Sequence, residues 1–153
     1  IYEGAFFMGI SGTEHNLNTI AIVELIRNGQ NIEDLVSQAR LPSLASCLNE
    51  MMGRKGCSTA ITADMADINP ASLHKIMTKK MAPSRNVLLR IAFALEMDFE
   101  ETQVLLKSGN CAALSANRKR DLYIIQGIEN KTPFDEVNET LQKHDLPDLY
   151  SKG

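Results

Sequence analysis

The sequence of 153 residues contains no tryptophan, and aromatic residues make up only 5% of it. A β-sandwich core would use more aromatic and β-branched side chains. Hydrophobic residues still amount to 44%, which is enough for a core built from Leu, Ile, Ala and Met. No segment has a convincing strand pattern, so we predict an all-α protein. The length fits one ordinary domain, or one small domain with helical extensions.

Cysteine is also scarce, with an odd number of residues and no C-x-x-C spacing: Cys47, Cys57 and Cys111. A disulfide framework or a zinc knuckle is therefore not expected, and free thiols in a reducing cytoplasm are the simplest interpretation. The histidines are equally few: His15, His74 and His144. They share no ligand spacing with one another or with the cysteines, so we expect neither a metal nor a cofactor.

Long hydrophobic runs are missing as well. No run approaches the ~20 apolar residues that a membrane span needs. The opening residues 1–7 are too few for a signal peptide and lack its basic start. We therefore expect a cytoplasmic protein without a membrane partner. Met8 is a candidate native initiator, in which case residues 1–7 are a cloning remnant.

The formal net charge is −3, which by itself does not favour a nucleic-acid partner. Phosphate binding depends on a local basic surface, however, and not on the total charge. Residues 70–90 contain no Asp or Glu but five basic residues: Lys75, Lys79, Lys80, Arg85 and Arg90. A second basic cluster at residues 118–120 is expected to be a solvated face or a salt-bridge donor, in preference to a second DNA site.

Apolar residues recur at helical spacing along most of the chain, with turn residues between the segments. Four residues are predicted to be N-caps: Asn69, Ser84, Asp98 and Ser115. Asp98 and Glu101 have the spacing of a capping box, and Gly109 is expected to close the helix that they begin. The predicted helices span residues 17–26, 32–39, 44–52, 59–66, 70–77, 85–95, 98–108, 115–128 and 133–144.

Residues 59–77 meet the demands of a helix-turn-helix, in which two short helices cross at a fixed angle. Ala63 supplies a small side chain where the second helix crosses the first, and Ile68 supplies an apolar plug for the turn. Leu73 and Ile76 give the second helix a buried face. Its opposite face is then free to meet DNA.

The segment Ile68-Asn-Pro-Ala-Ser-Leu-His-Lys-Ile-Met, followed by Lys79-Lys80-Met-Ala-Pro83-Ser84-Arg85, resembles the repressor-type (XRE/Cro) helix-turn-helix family. The resemblance covers roughly residues 44–109. It implies a lambda-repressor-like domain of five helices, with residues 59–66 and 70–77 as the DNA-reading pair. Residues 100–107, 117–121 and 136–141 also resemble bacterial members that carry a helical C-terminal extension.

The resemblance implies two sets of DNA-binding residues. Base-edge contacts would come from Asn69, Ala71, Ser72, His74 and Lys75. Phosphate contacts would come from Lys79, Lys80, Ser84 and Arg85. The start of a helix at Ser84 agrees with the second set, because its free N–H groups and dipole favour an anion.

The chain departs from the family pattern at both turns of this segment. Asp67 stands in the inter-helix turn where glycine is usual, and Thr78-Lys79-Lys80 replaces the glycine-containing turn after the second helix. The reading face is rich in small side chains, and Asn69 is its lone candidate for bidentate base recognition. These departures affect the residues expected to read the bases more than those expected to hold the fold.

We predict three regions: a helical extension at 1–42, a helix-turn-helix domain at 43–109, and a helical pair packed on it at 110–153. The predicted function is a bacterial transcriptional regulator, most simply a repressor, that binds double-stranded DNA as a homodimer. The alternative is a protein-interaction module, such as an antitoxin or phage-defence adaptor, on the same fold. No enzyme is expected, because the acidic residues at 96–101 lack a nucleophile or orienting group.

Overall fold

The computed structural model describes residues 19–38 and 42–151. Within these residues the regular structure is entirely helical, in agreement with the all-α prediction. Its nine helices are α1 (Thr19–Arg27), α2 (Ile32–Gln38), α3 (Leu44–Lys55), α4 (Thr59–Met65), α5 (Pro70–Met77), α6 (Arg85–Ala94), α7 (Phe99–Ser108), α8 (Lys119–Glu129) and α9 (Phe134–Lys143). None of these helices has the length and apolar character needed to cross a membrane. The chain forms two compact units, divided after Pro42.

The described part of the first unit contains α1 and α2. Gly29, with a φ of 84°, follows α1 and lets the chain turn. Asn31 then accepts a hydrogen bond from the backbone N–H of Glu33, which begins α2. Two residues of the predicted first helix (17–18) and one of the predicted second (Ala39) lie outside the described residues.

In the second unit, α3 to α7 each begin at a side chain that accepts a backbone N–H of the first turn. The five caps are Ser43, Ser58, Asn69, Ser84 and Asp98. The predicted capping box at Asp98 and Glu101 is present in both directions, with bonds of 2.8 Å. The three caps that the sequence predicts in this region are thus confirmed.

The core of the second unit is aliphatic, as the composition predicts. Leu48 on α3, Leu88 on α6 and Leu105 on α7 are fully buried. α4 and α5 pack on each other and on α6 and α3 respectively, while α3 also packs on α7. The pair α4–α5 is therefore supported by α3 and α6, both of which also pack on α7.

Six consecutive helices, α4 to α9, end without a glycine in the left-handed position. That conformation is taken by Asp67, Lys79, Glu96, Asn110, Lys131 and Asp145. After α4, the N–H of Ile68 bonds to the carbonyl of Ala63 at 2.8 Å, and after α5 the N–H of Lys80 bonds to that of Lys75 at 2.8 Å. These are the six-to-one bonds of a Schellman motif, for which glycine is the usual residue.

Gly109 follows α7, but it does not adopt the left-handed conformation expected of a closing glycine. Its φ is −92°, and Asn110 has the positive φ instead. A Cβ on Gly109 would lie 2.5 Å from Cδ1 of Leu88 and 3.3 Å from Cγ of Pro83. The glycine thus leaves room for the close approach of α7 to Leu88 and Pro83 at the beginning of α6.

Two helices and a short tail complete the second unit. α9 packs on α8 and α6, and α8 packs also on α7. The predicted N-cap at Ser115 is wrong: its hydroxyl accepts the N–H of Asn117, and α8 begins later, at Lys119. The residues that follow α9, 146–151, are called the C-terminal tail below, and Leu149 within it is fully buried.

Candidate nucleic-acid interface

The two short helices α4 and α5 pack as the sequence analysis expects. Ala63 is fully buried in α4, where a larger side chain would keep the helices apart. Leu73 and Ile76 are buried on one side of α5. Pro70 occupies the first turn of α5, where it needs no N–H partner.

The turn between α4 and α5 adopts the conformation that the family usually gives to glycine. Asp67 has a φ of 56°. Its carboxylate accepts a hydrogen bond of 2.9 Å from the hydroxyl of Tyr150 in the C-terminal tail. Asp67 thus adopts a strained backbone conformation, and its side chain forms a hydrogen bond with a residue far away in the sequence.

The five predicted base-contacting residues lie on α5 and at its cap. Four of them are exposed, and Ser72 is half-buried. The side-chain oxygen of Asn69 accepts the N–H of Ala71 at 2.8 Å, so the amide nitrogen of Asn69 remains for another partner. His74 and Lys75 are exposed in the later part of the helix. The face opposite Leu73 and Ile76 is therefore open along the whole of α5.

Lys79 and Lys80 follow α5 directly, and both are exposed. Lys79 has the left-handed φ of 62° in the turn that lacks glycine. Neither lysine forms an ion pair with a carboxylate in the described part of the chain. Ser84 is exposed too, but its hydroxyl oxygen accepts the N–H of Val87 at 3.1 Å as the cap of α6.

Arg85, the fourth predicted phosphate contact, has several partners within the protein. Its guanidinium donates to both carboxylate oxygens of Asp121, at 3.0 and 2.9 Å. It also donates to the carbonyls of Ala112 at 2.8 Å and Ala113 at 3.2 Å. The side chain of Arg85 is 19% exposed and that of Asp121 is fully buried. Arg85 therefore ties α6 to the segment before α8, and its contact with phosphate stays a prediction.

Sequence reasoning missed a group of contacts that joins this turn to the other end of the chain. Arg90 is 8% exposed; its Nε donates to the carbonyl of Ala66 at 3.0 Å and its Nη1 to that of Leu149 at 2.7 Å. The ring of Tyr150 lies 4.6 Å from the guanidinium carbon of Arg90. Arg90 was noticeable only as one of several basic residues, and no local pattern relates it to the tail.

The cysteines and histidines do not add a second site in the described ranges. Within them, no group of three His, Cys, Asp or Glu side chains could hold a metal ion. Burial, together with Glu101 and Glu50, raises the pKa of the Cys47 thiol to about 12. That thiol is therefore protonated and unreactive at neutral pH. His15 lies outside the described residues.

Residues 47–102 match the family model of the Cro/C1-type HTH DNA-binding domain. The match contains α4, α5 and the turn between them, and it ends before α8 and α9. Neither the search of curated proteins nor that of solved structures found a match. The family implies DNA binding and is typically not enzymatic. The chain therefore contains, at residues 47–102, a Cro/C1-type helix-turn-helix DNA-binding domain, with further helices after it.

Proposed function

We propose that the protein is a sequence-specific transcriptional regulator, most simply a repressor, that places α5 in the major groove of double-stranded DNA. The observation that carries the proposal is the exposed face of α5 within a helix-turn-helix domain. Lys79 and Lys80 follow this helix, and neither forms an ion pair with a carboxylate among the described residues. A bound protein of this kind represses transcription by covering its operator.

Base recognition rests on the first two turns of α5. Lys75 suits the acceptor edge of guanine, and the methyl group of Ala71 suits the methyl group of thymine. Asn69 keeps its amide nitrogen free for an acceptor, while Ser72 and His74 complete the reading face. Several of these side chains are short, so they reach the base edges only if α5 lies close to the floor of the major groove.

Phosphate contacts come from Lys79, Lys80 and the beginning of α6 at Ser84. The first-turn N–H groups of a helix have no intrahelical acceptors, and the helix dipole favours an anion there. Arg85 contributes its backbone N–H in this arrangement, because its side chain is held by Asp121. These contacts position α5 but do not discriminate among sequences.

A homodimer is part of the proposal, because one helix-turn-helix with few base readers binds weakly. Large apolar side chains are exposed outside residues 43–109: Ile26, Ile32, Val36 and Leu122. Such side chains support an interface formed by the helices outside residues 43–109. Sedimentation over a range of concentrations tests this part, and a monomer at every concentration contradicts it.

The deciding experiment is a fluorescence-anisotropy titration of a mixed-sequence duplex at several salt concentrations. The test variant is Lys79→Asn/Lys80→Ala, in which Asn tolerates the left-handed conformation of residue 79. The control is Lys107→Ala/Lys143→Ala, which removes the same charge from exposed positions on α7 and α9. Arg85 is left in place, since its loss would disturb the fold.

We expect the test variant to bind less tightly and to reduce the salt slope by about 1.8, the value for two phosphate contacts. The control variant should keep the slope of the wild type. Equal binding by all three proteins, or none by the folded wild type, would contradict the proposal and favour the adaptor alternative. Enrichment of one palindromic sequence from a random duplex pool tests specificity, and a reporter carrying that sequence tests repression.

A further inference from the structure

A cleft of about 910 Å³ lies in the second unit, and no residue of α5 lines it. Three parts of the chain line it: the first turns of α6, the beginning of α8 and the C-terminal tail. Its volume falls within the range of small-molecule sites. Arg85, Arg90 and Arg120 all contribute to its wall.

Arg90 brings a buried guanidinium with spare donors to this cleft. Its Nε and Nη1 bond to the carbonyls of Ala66 and Leu149, whereas its Nη2 has no acceptor among the described residues. Carbonyl groups carry no full charge, and no carboxylate among the described residues forms an ion pair with Arg90, so its positive charge is offset only by these carbonyls and by the ring of Tyr150. A guanidinium in this condition favours an anion beside it.

Arg120 also contributes to the wall of the cleft and has spare donors. Its Nε donates to the carbonyl of Pro147 at 2.7 Å, and its Nη2 donates to Oδ1 of Asn86 at 2.7 Å and the carbonyl of Asp148 at 2.9 Å. Its Nη1 has no acceptor in the part of the chain that the structure describes. Burial and the neighbouring positive charge of Arg85 lower the pKa of Arg120, although the carboxylates of Asp121 and Asp148 act in the opposite direction. A bound anion would relieve this crowding of positive charge.

The nearby carboxylates are directed to other partners. Both oxygens of Asp121 receive Arg85, and one of them also accepts the N–H of Ser115 at 3.0 Å. The carboxylate of Asp148 accepts from the side chain of Gln142 at 2.7 Å and from the N–H of Tyr150 at 3.0 Å. Neither Asp121 nor Asp148 lines the cleft, although Asp148 accepts a hydrogen bond of 3.1 Å from the hydroxyl of Ser151 in its wall.

We propose that this cleft binds a phosphate group, held by Nη2 of Arg90 and Nη1 of Arg120, with the hydroxyl group of Ser84 beside it. Guanidinium groups suit phosphate because their planar N–H pairs match its oxygens. The phosphate belongs either to a small molecule or to the backbone of bound DNA. The second source rests on the proposed function, whereas the first is independent of it.

Occupation of the cleft also affects the DNA-reading unit, because Arg90 holds the end of α4 through Ala66. Tyr150 covers the same guanidinium and bonds to Asp67 in the turn. A phosphate bound to Arg90 would therefore contact the side chain that bonds to Ala66, the residue before Asp67 in the turn between α4 and α5. The cleft is placed to sense a ligand and to influence the fit of α5 to DNA.

The test uses the full chain and the variant Arg120→Gln. Its matched control is Arg118→Gln, which removes the same charge from an exposed side chain that does not line the cleft. Calorimetric titration with inorganic phosphate, at constant ionic strength, measures free phosphate binding. The salt dependence of duplex binding, measured with the same proteins, reports phosphate contacts from DNA.

We expect Arg120→Gln to weaken one of these interactions and Arg118→Gln to weaken neither. A loss of inorganic phosphate affinity of about tenfold or more with an unchanged DNA slope identifies a small-molecule site. A DNA slope lower by about 0.9 identifies a backbone phosphate as the occupant, with or without binding of the free ion. If the wild type binds no inorganic phosphate and Arg120→Gln leaves the DNA slope unchanged, the proposal is overturned.

Two further measurements keep the test decisive. Arg120→Met keeps the apolar stem of the side chain but removes the charge, so it replaces Arg120→Gln if that variant fails to fold, with the same outcomes. Phosphate titration of Lys79→Asn/Lys80→Ala separates the two proposals. That variant should bind inorganic phosphate as the wild type does even if the protein has no affinity for DNA.

Discussion

The hydroxyl of Tyr150 donates a hydrogen bond of 2.9 Å to the carboxylate of Asp67, which lies 83 residues earlier in the chain. Asp67 is the left-handed residue in the turn of the helix-turn-helix, and Tyr150 belongs to the C-terminal tail. The tail therefore touches the DNA-reading unit directly. Arg90 strengthens the connection, because it binds the carbonyls of both Ala66 and Leu149.

The substitution Tyr150→Phe should reveal this contact at alkaline pH. Burial, followed by the bond to Asp67, raises the pKa of Tyr150 to about 12 from its ordinary value near 10. The stabilisation tied to protonated Tyr150 is complete below pH 10 and is lost as the pH rises towards 12. Urea unfolding from pH 8 to pH 11.5 should show a steeper loss of free energy of unfolding in the wild type than in Tyr150→Phe.

The other titrating groups are common to both proteins, so the difference between them isolates Tyr150. At pH 8 the variant should lose only about 0.5 kcal/mol, because the bond is partly exposed to solvent. If the free energy of unfolding fell in parallel for the two proteins across the alkaline range, the hydroxyl of Tyr150 would have no hydrogen-bond partner in the folded state.

Asp121→Asn should destabilise the second unit strongly. The substitution removes a fully buried carboxylate and leaves the guanidinium of Arg85 without its counter-charge. Breaking one side of a buried pair costs about 3 kcal/mol or more. Urea unfolding at pH 7 measures the loss, with Asp145→Asn as the control on an exposed residue. A loss no larger than that of the control would contradict a structural role for Arg85.

Lys79→Gly should change stability and DNA binding in opposite directions. Glycine relieves the left-handed strain at φ 62°, so the free energy of unfolding should rise by about 1 kcal/mol. The same change removes one proposed phosphate contact and should lower the salt slope by about 0.9. Thermal unfolding and anisotropy titration of one protein sample give both values. A stabilised variant with an unchanged slope would remove Lys79 from the DNA-binding set.

Gly109→Ala and Asn110→Gly form a matched pair at the end of α7. The alanine Cβ would lie 2.5 Å from Cδ1 of the buried Leu88, so the free energy of unfolding should fall by about 1–3 kcal/mol. Asn110→Gly introduces the residue that best tolerates a positive φ and should change stability by less than about 0.5 kcal/mol. If Gly109→Ala were the milder of the two, the close approach to α6 would not be the reason for glycine.

Much of the local structure could be predicted from the sequence. The caps at Asn69, Ser84 and Asp98 depend on side chains that reach only two or three residues ahead, which is a short-range property. The buried face of α5 at Leu73 and Ile76 follows in the same way from helical spacing. Ser115 was misleading because its hydroxyl found a turn N–H before the helix began.

The candidate site could be predicted only in part. The exposed positions of Lys79 and Lys80 follow from charge and from the helix that precedes them. The ion pair of Arg85 with Asp121 could not be predicted, because no residue near Arg85 in the sequence indicates that Asp121 is within reach. A basic residue at a helix start looks the same in the sequence whether it meets a phosphate or a buried carboxylate.

The sequence by itself determined the helical class, the helix-turn-helix segment and most helix beginnings, because these depend on residues within about one helical turn of each other. The tertiary structure alone decided that Gly109 serves close packing and that Arg85 and Arg90 bind distant groups. Those outcomes depend on which surfaces meet when the chain closes on itself. Contacts across tens of residues leave no periodic trace in a single sequence.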